Sequence, residues 1–216
     1  MDKRTRLLNL KKRMQEDKTL PLRSGATQLV FGEGNPDTQV YFLGEGPGYY
    51  EDKAGRPFVG LAGQLLDKLI ESIGLKREDV YISNVVRFRP PGNRDPEPDE
   101  IAAFKPYVDE EIKIISPKII VTLGRFSMGK FLADAKISAV HGKKFVVDFP
   151  PAGGQVLGKK QIVLPMYHPA AALRNGAILE VLKNDFKLIA LTLKDSEPLD
   201  DFGGKIEGDS SQLSLI

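Results

Sequence analysis

Three short segments carry side chains whose types and setting could do chemistry. In residues 40–63, VYFLGEGPGYYEDKAGRPFVGLAG, the apolar run Val40-Tyr41-Phe42-Leu43 breaks into Gly44-Glu45-Gly46-Pro47-Gly48, then an aromatic stretch and the start of a helix. Glycines at the carboxyl end of a buried strand let backbone amides approach a ligand closely, although alone they make only a turn. In residues 162–174, IVLPMYHPAAALR, a second apolar run ends in His168-Pro169-Ala170. In residues 80–88, VYISNVVRF, one amide, Asn84, stands in a strand-like run. An imidazole can donate to a developing negative charge, and an amide offers both a donor and an acceptor. Strand ends of one sheet can face each other, so the expectation is a ligand pocket where these segments meet.

The elements that must position them alternate along the chain. Expected are a basic helix over 2–16, a short strand over 28–31, a strand over 39–44 and a helix over 62–73. That helix carries Leu65, Leu66, Leu69, Ile70 and Ile73 at helical spacing and stops at Gly74. A strand over 80–87, helix 98–115, strand 118–123, helix 125–133, a hairpin within 140–164 and helix 177–193 follow. This order predicts an α/β fold: a parallel sheet with helices on both faces and ligands at the strands' carboxyl ends.

Composition is compatible with one domain of 216 residues and 41% hydrophobic side chains. No apolar run approaches the roughly 20 residues that span a bilayer. Leu7, Leu8 and Leu10 are too few for the apolar region of a secretory signal, so the expectation is a cytoplasmic protein without membrane partners. The net charge of +2 is unevenly spread: residues 195–216 hold six acids against Lys205, which leaves the rest of the chain at +7. Arg87, Arg89 and Arg94 crowd into RFRPPGNR, and six cations lie in the first thirteen residues. Polyanion binding is the chemistry this implies.

Taken in order, GEGPG, PFVG with AG, an Asn at a strand end, RPPGNR, and HPA with LR resemble the family 4 uracil-DNA glycosylases over roughly residues 15–192. The resemblance implies a three-layer α/β/α sandwich around a mainly parallel four-stranded sheet. It implies a monofunctional glycosylase, a hydrolase that flips uracil out of DNA and starts base excision repair. His168 would donate to the departing uracil, and Asn84 would read its O4 and N3–H edge. Phe58 would stack on the base, and the backbone at Gly44 and Gly46 would touch it. Other branches place Asp or Asn where this chain has Gly46, so Glu45 is the candidate for orienting water. Arg87, Arg89 and Arg94 would meet DNA, with Leu173 as a wedge and Arg174 on a phosphate. A non-catalytic uracil or single-strand DNA binder of the same fold is the alternative reading.

The chain departs from that family in having no cysteine. Where the family holds a four-iron, four-sulfur cluster, the cysteine positions are Asp17, Leu20, Phe88 and Phe104. Thiolates are the cluster's ligands, so no cofactor and no metal are expected. Leu20, Phe88 and Phe104 are expected to meet in a hydrophobic plug instead. The division expected is a glycosylase domain over 1–194 and a flexible acidic tail over 195–216. That tail closes on Gln212-Leu213-Ser214-Leu215-Ile216, which resembles the bacterial sliding-clamp-binding pentapeptide with Ile for its usual final Phe. Gln212, Leu213, Leu215 and Ile216 would enter pockets on the clamp, and the enzyme is expected to act as a monomer.

Overall fold

The computed structural model describes residues 1–149 and 159–195. Four parallel strands form its centre: β2 (Val40–Gly44), β3 (Tyr81–Asn84), β4 (Ile119–Leu123) and β6 (Lys159–Met166). Two antiparallel strands flank them, β1 (Glu33–Gly34) on β3 and β5 (Phe145–Phe149) on β6, giving the order β1-β3-β2-β4-β6-β5. The four-stranded parallel sheet expected from the sequence is therefore the middle of a six-stranded one. The strand expected over 28–31 is not formed. That stretch is tied by the Val30 amide to the Arg87 carbonyl at 2.9 Å, and the pairing strand begins at Glu33.

Apolar side chains on both faces of the central strands explain why helices cover both sides. On β2, Tyr41 and Leu43 enter one core and Val40 and Phe42 the other, as the two-residue period of a strand requires. The first core is closed by α1 (Lys3–Glu16) and α4 (Pro98–Ile115), which bury Leu10, Met14, Phe104 and Ile112. The second is closed by α3 (Leu61–Ser72) and α8 (Gly176–Lys194), through Leu66, Ile70, Leu182 and Phe186. Short helices α2 (Tyr49–Ala54), α5 (Arg125–Gly129), α6 (Ile137–Val140) and α7 (Pro169–Ala172) fill the connections.

Chain order creates the site. From β2 the chain crosses to β3 on one side, then returns through α4 to β4 on the other side of β2. The carboxyl ends of β2 and β4 therefore flank a topological switch, the place where open α/β sheets bind ligands. Among the described residues no helix is long and apolar enough to cross a membrane.

Candidate active site

Gly44 ends β2 pressed against its neighbours. A Cβ there would lie 2.5 Å from both the Asn84 Oδ1 and the Phe58 ring, so only glycine lets these two groups converge. Phe58 itself sits at φ +50°, a left-handed conformation that costs a non-glycine residue about 1–3 kcal/mol. Charges of both signs hold it there. The Glu51 carboxylate accepts from the amides of Val59 and Gly60 at 2.9 and 2.8 Å, and Arg77 donates to the carbonyls of Pro57 and Phe58 at 2.6 and 3.1 Å. Gly63, in the first turn of α3, completes the seat, because a side chain there would collide with the Phe58 carbonyl.

His168 follows β6 and caps α7. Its Nδ1 accepts from the Ala170 amide at 3.1 Å, so the neutral ring carries its proton on Nε2. The ring stacks on Phe58 with centroids 5.6 Å apart and planes at 29°. Behind it stands Gly124, at φ +92°, where a Cβ would approach the His168 Cβ to 3.1 Å. Burial lowers the imidazole pKa to about 4; Arg174 acts in the same direction and Glu51 opposes it. At neutral pH the group is therefore an uncharged donor.

Asn84, the last residue of β3, is 1% exposed, and its Oδ1 has no hydrogen-bond partner among the described residues. A buried acceptor left unpaired costs about 1–3 kcal/mol, which a ligand N–H placed here would recover. Glu45 is half-buried beyond Gly44. Burial raises its carboxyl pKa, Asp95 adds to the rise, and Arg125 opposes it. A cavity of about 520 Å³ gathers Glu45, Gly46, Phe58, Arg94, His168 and Arg174 along its walls. Leu173, 49% exposed, directly precedes the cavity-lining Arg174, which is exposed with its Nε donating to the Ala170 carbonyl.

Residues 31–191 match the family model described as the uracil DNA glycosylase superfamily. The Type-4 uracil-DNA glycosylase of Sulfurisphaera tokodaii is 50% identical over 169 residues, 76% of this chain and 74% of that protein. Those of Saccharolobus solfataricus and Thermotoga maritima are 46% and 44% identical, over 80% and 76% of this chain and 80% and 81% of their own. The chain belongs to the uracil DNA glycosylase superfamily, in its type-4 branch.

Within this type-4 frame, two sequence expectations meet the geometry differently. Arg87 does not face DNA. It is fully buried, pairs with Glu111 at 2.6 Å, donates to Ser83 and lies 5.7 Å over the Phe31 ring. Tyr41 and Tyr81 complete the cluster by hydrogen bonds to the same carboxylate. A guanidinium so enclosed cannot reach a phosphate; its work is to neutralise Glu111 inside the core. Arg89 and Arg94 remain at the surface, Arg94 bidentate to Glu100 at 2.8 and 2.6 Å, which offsets part of its charge.

The positions that carry cluster cysteines in the family do not fit an iron-sulfur group in this type-4 chain. Leu20, Phe88 and Phe104 are buried in one apolar cluster, with the two rings 6.1 Å apart. Asp17 accepts a hydrogen bond from the Tyr107 hydroxyl at 2.6 Å and is occupied by α4. None of these side chains is a thiolate, which the cluster requires.

Glu51, Arg77, Gly124 and Asp95 belong to the site without having been singled out in the sequence. Their partners lie eight or more residues away, so no local spacing marks them. The clamp-like residues Gln212, Leu213, Leu215 and Ile216 lie outside the described residues.

Proposed function

We propose that this chain is a uracil-DNA glycosylase that hydrolyses the N-glycosidic bond of a flipped deoxyuridine. The observation that carries the reading is that Phe58 joins a neutral His168 donor, stacked on its ring in the cavity wall, to an orphaned Asn84 acceptor buried just behind, across Gly44.

In this reading uracil slides onto Phe58, and the N3–H of the base donates to the Asn84 Oδ1 while the Asn84 amide donates to O4. Cytosine presents the reverse pattern on that edge and leaves both groups unpaired. Phe58, His168 and Asn84 are preorganised, so little rearrangement accompanies the reaction. As the bond from C1′ to N1 breaks, its electron pair passes to the uracil ring, and the His168 Nε2–H donates to the O2 that gains charge. A neutral imidazole suits this role, and removal of such a donor typically lowers the rate roughly 10²–10³-fold. Water then adds to the oxocarbenium-like C1′, oriented by the Glu45 carboxylate, and its proton leaves toward Glu45 and solvent.

Getting the base there costs a few kcal/mol of unstacking. Leu173 would occupy the vacated stack, with Arg174, Arg94 and Arg89 on the phosphates. The reading includes a cofactor-free enzyme, the apolar plug of Leu20, Phe88 and Phe104 standing where the family holds its cluster. It also includes a cytoplasmic monomer, a catalytic domain over 1–194, and docking of Gln212, Leu213, Leu215 and Ile216 on a bacterial sliding clamp. Incubating the protein with uracil-containing oligonucleotides and then alkali tests the central claim: strand breaks at uracil are expected, and binding without abasic sites would leave only a non-catalytic uracil binder.

A further inference from the structure

The outer lip of the cavity carries two tyrosines that the proposed chemistry does not use. Tyr49 and Tyr50 open α2 directly after the cavity-lining Gly48, and both are exposed, Tyr50 to 64%. Their rings meet edge to face, with centroids 5.5 Å apart and planes at 84°. The Tyr50 ring rests beside Gly60, where a Cβ would come within 3.4 Å of it, and the next residue, Leu61, is 67% exposed. Thus a small apolar shelf adjoins the loop that presents Phe58.

Cations border this shelf. The Arg89 guanidinium lies 5.2 Å over the Tyr49 ring, fixed by an Nε hydrogen bond to the Asn93 Oδ1 at 2.6 Å, and the Lys53 ammonium lies 5.9 Å over the same ring. Among the described residues neither cation has a carboxylate partner. Exposed aromatic faces beside unneutralised cations match a nucleotide in chemistry, since a ring takes the face of any base and the cations take its phosphate.

We propose that Tyr49 and Tyr50, with Arg89 and Lys53, form a stacking subsite for an unpaired nucleotide next to the target deoxyuridine. The base lies on Tyr50 and the phosphate meets Arg89 and Lys53. An unpaired base is required because a base inside a duplex has both faces covered by its neighbours. The subsite rests on the uracil-DNA reading above and narrows it: single-stranded or locally melted DNA is the preferred substrate.

The test measures affinity and uracil release separately, by fluorescence anisotropy and by product analysis, for the parent, Tyr50→Ala and Tyr50→Phe. The probes are a uracil-containing single strand, the same strand with abasic nucleotides flanking the uracil, and the same uracil in a duplex. Tyr50→Ala should bind the ordinary single strand about tenfold more weakly, whereas Tyr50→Phe should bind like the parent. Abasic flanks should weaken the parent by a similar factor and Tyr50→Ala no further, with duplex affinity equal in all three proteins. Parent-like binding of the single strand by Tyr50→Ala, or an equal loss on all three probes, would overturn the subsite. Failure of the parent to release uracil would instead overturn the glycosylase reading, since the affinities report the subsite independently.

Discussion

His168 shows how the fold sets a residue's chemistry. A histidine ahead of Pro-Ala was legible as a catalytic candidate from its position after an apolar run, but its charge state was not, since burial behind Gly124 and beside Phe58 decides it. With the folded-state pKa lowered to about 4 against an ordinary 6.5, the unfolded chain takes up a proton that the folded one refuses. The neutral ring therefore contributes stability above about pH 6.5, and that contribution is lost as pH falls through the window toward 4. A titration of the His168 ring by NMR should show no protonation step until pH nears 4; a midpoint near 6.5 would contradict the neutral donor. Asn84 makes a second expectation at this scale. Asn84→Asp removes the amide donor meant for uracil O4, so preference for uracil over cytosine should fall about tenfold or more in paired cleavage assays. Unchanged preference would move recognition to the backbone. Arg87 was misread because nothing near it in sequence announces its partner, Glu111, which arrives from α4.

At the scale of elements, the long apolar runs and the leucine and isoleucine spacing made the four parallel strands and the main helices readable. β1 escaped because two residues, Glu33 and Gly34, hold no periodicity, and pairing with β3 alone defines them. The loop that presents Phe58 was legible as a motif but not as a clamp: Glu51 and Arg77 reach it from α2 and from the turn before β3, and only the folded chain brings them together. The plug belongs to this scale too, since Phe88 leaves the β3 strand end and Phe104 sits on α4. Phe88→Ala should cost about 3–5 kcal/mol in urea unfolding, as large truncations in packed cores do. A variant that unfolds like the parent would show that these rings do not anchor the arginine loop to α4.

For the whole molecule, the charge split visible in the sequence separates a basic body from an acidic end. In the proposed function the acids of residues 195–209 are repelled by DNA phosphates and so do not compete for the cavity face. Removing residues 212–216 should leave cleavage of short oligonucleotides unchanged and abolish binding to a bacterial sliding clamp, read by titration of the clamp. Equal clamp binding by the shortened protein would make QLSLI a chance ending. The placement of the pocket follows from topology: Gly44, Asn84, Gly124 and His168 come from four segments and meet because β2, β3, β4 and β6 run parallel with their carboxyl ends together.

The central claim is that this pocket releases uracil by donating a hydrogen bond from a neutral imidazole to the departing base. Single-turnover release of free uracil from a uracil-containing oligonucleotide, compared between the parent and His168→Ala, measures this most directly. The account predicts free uracil and an abasic strand from the parent, and release slowed roughly 10²-fold or more in the variant, with affinity for abasic DNA little changed. No free uracil from the parent, or parent-like release by His168→Ala, would contradict it.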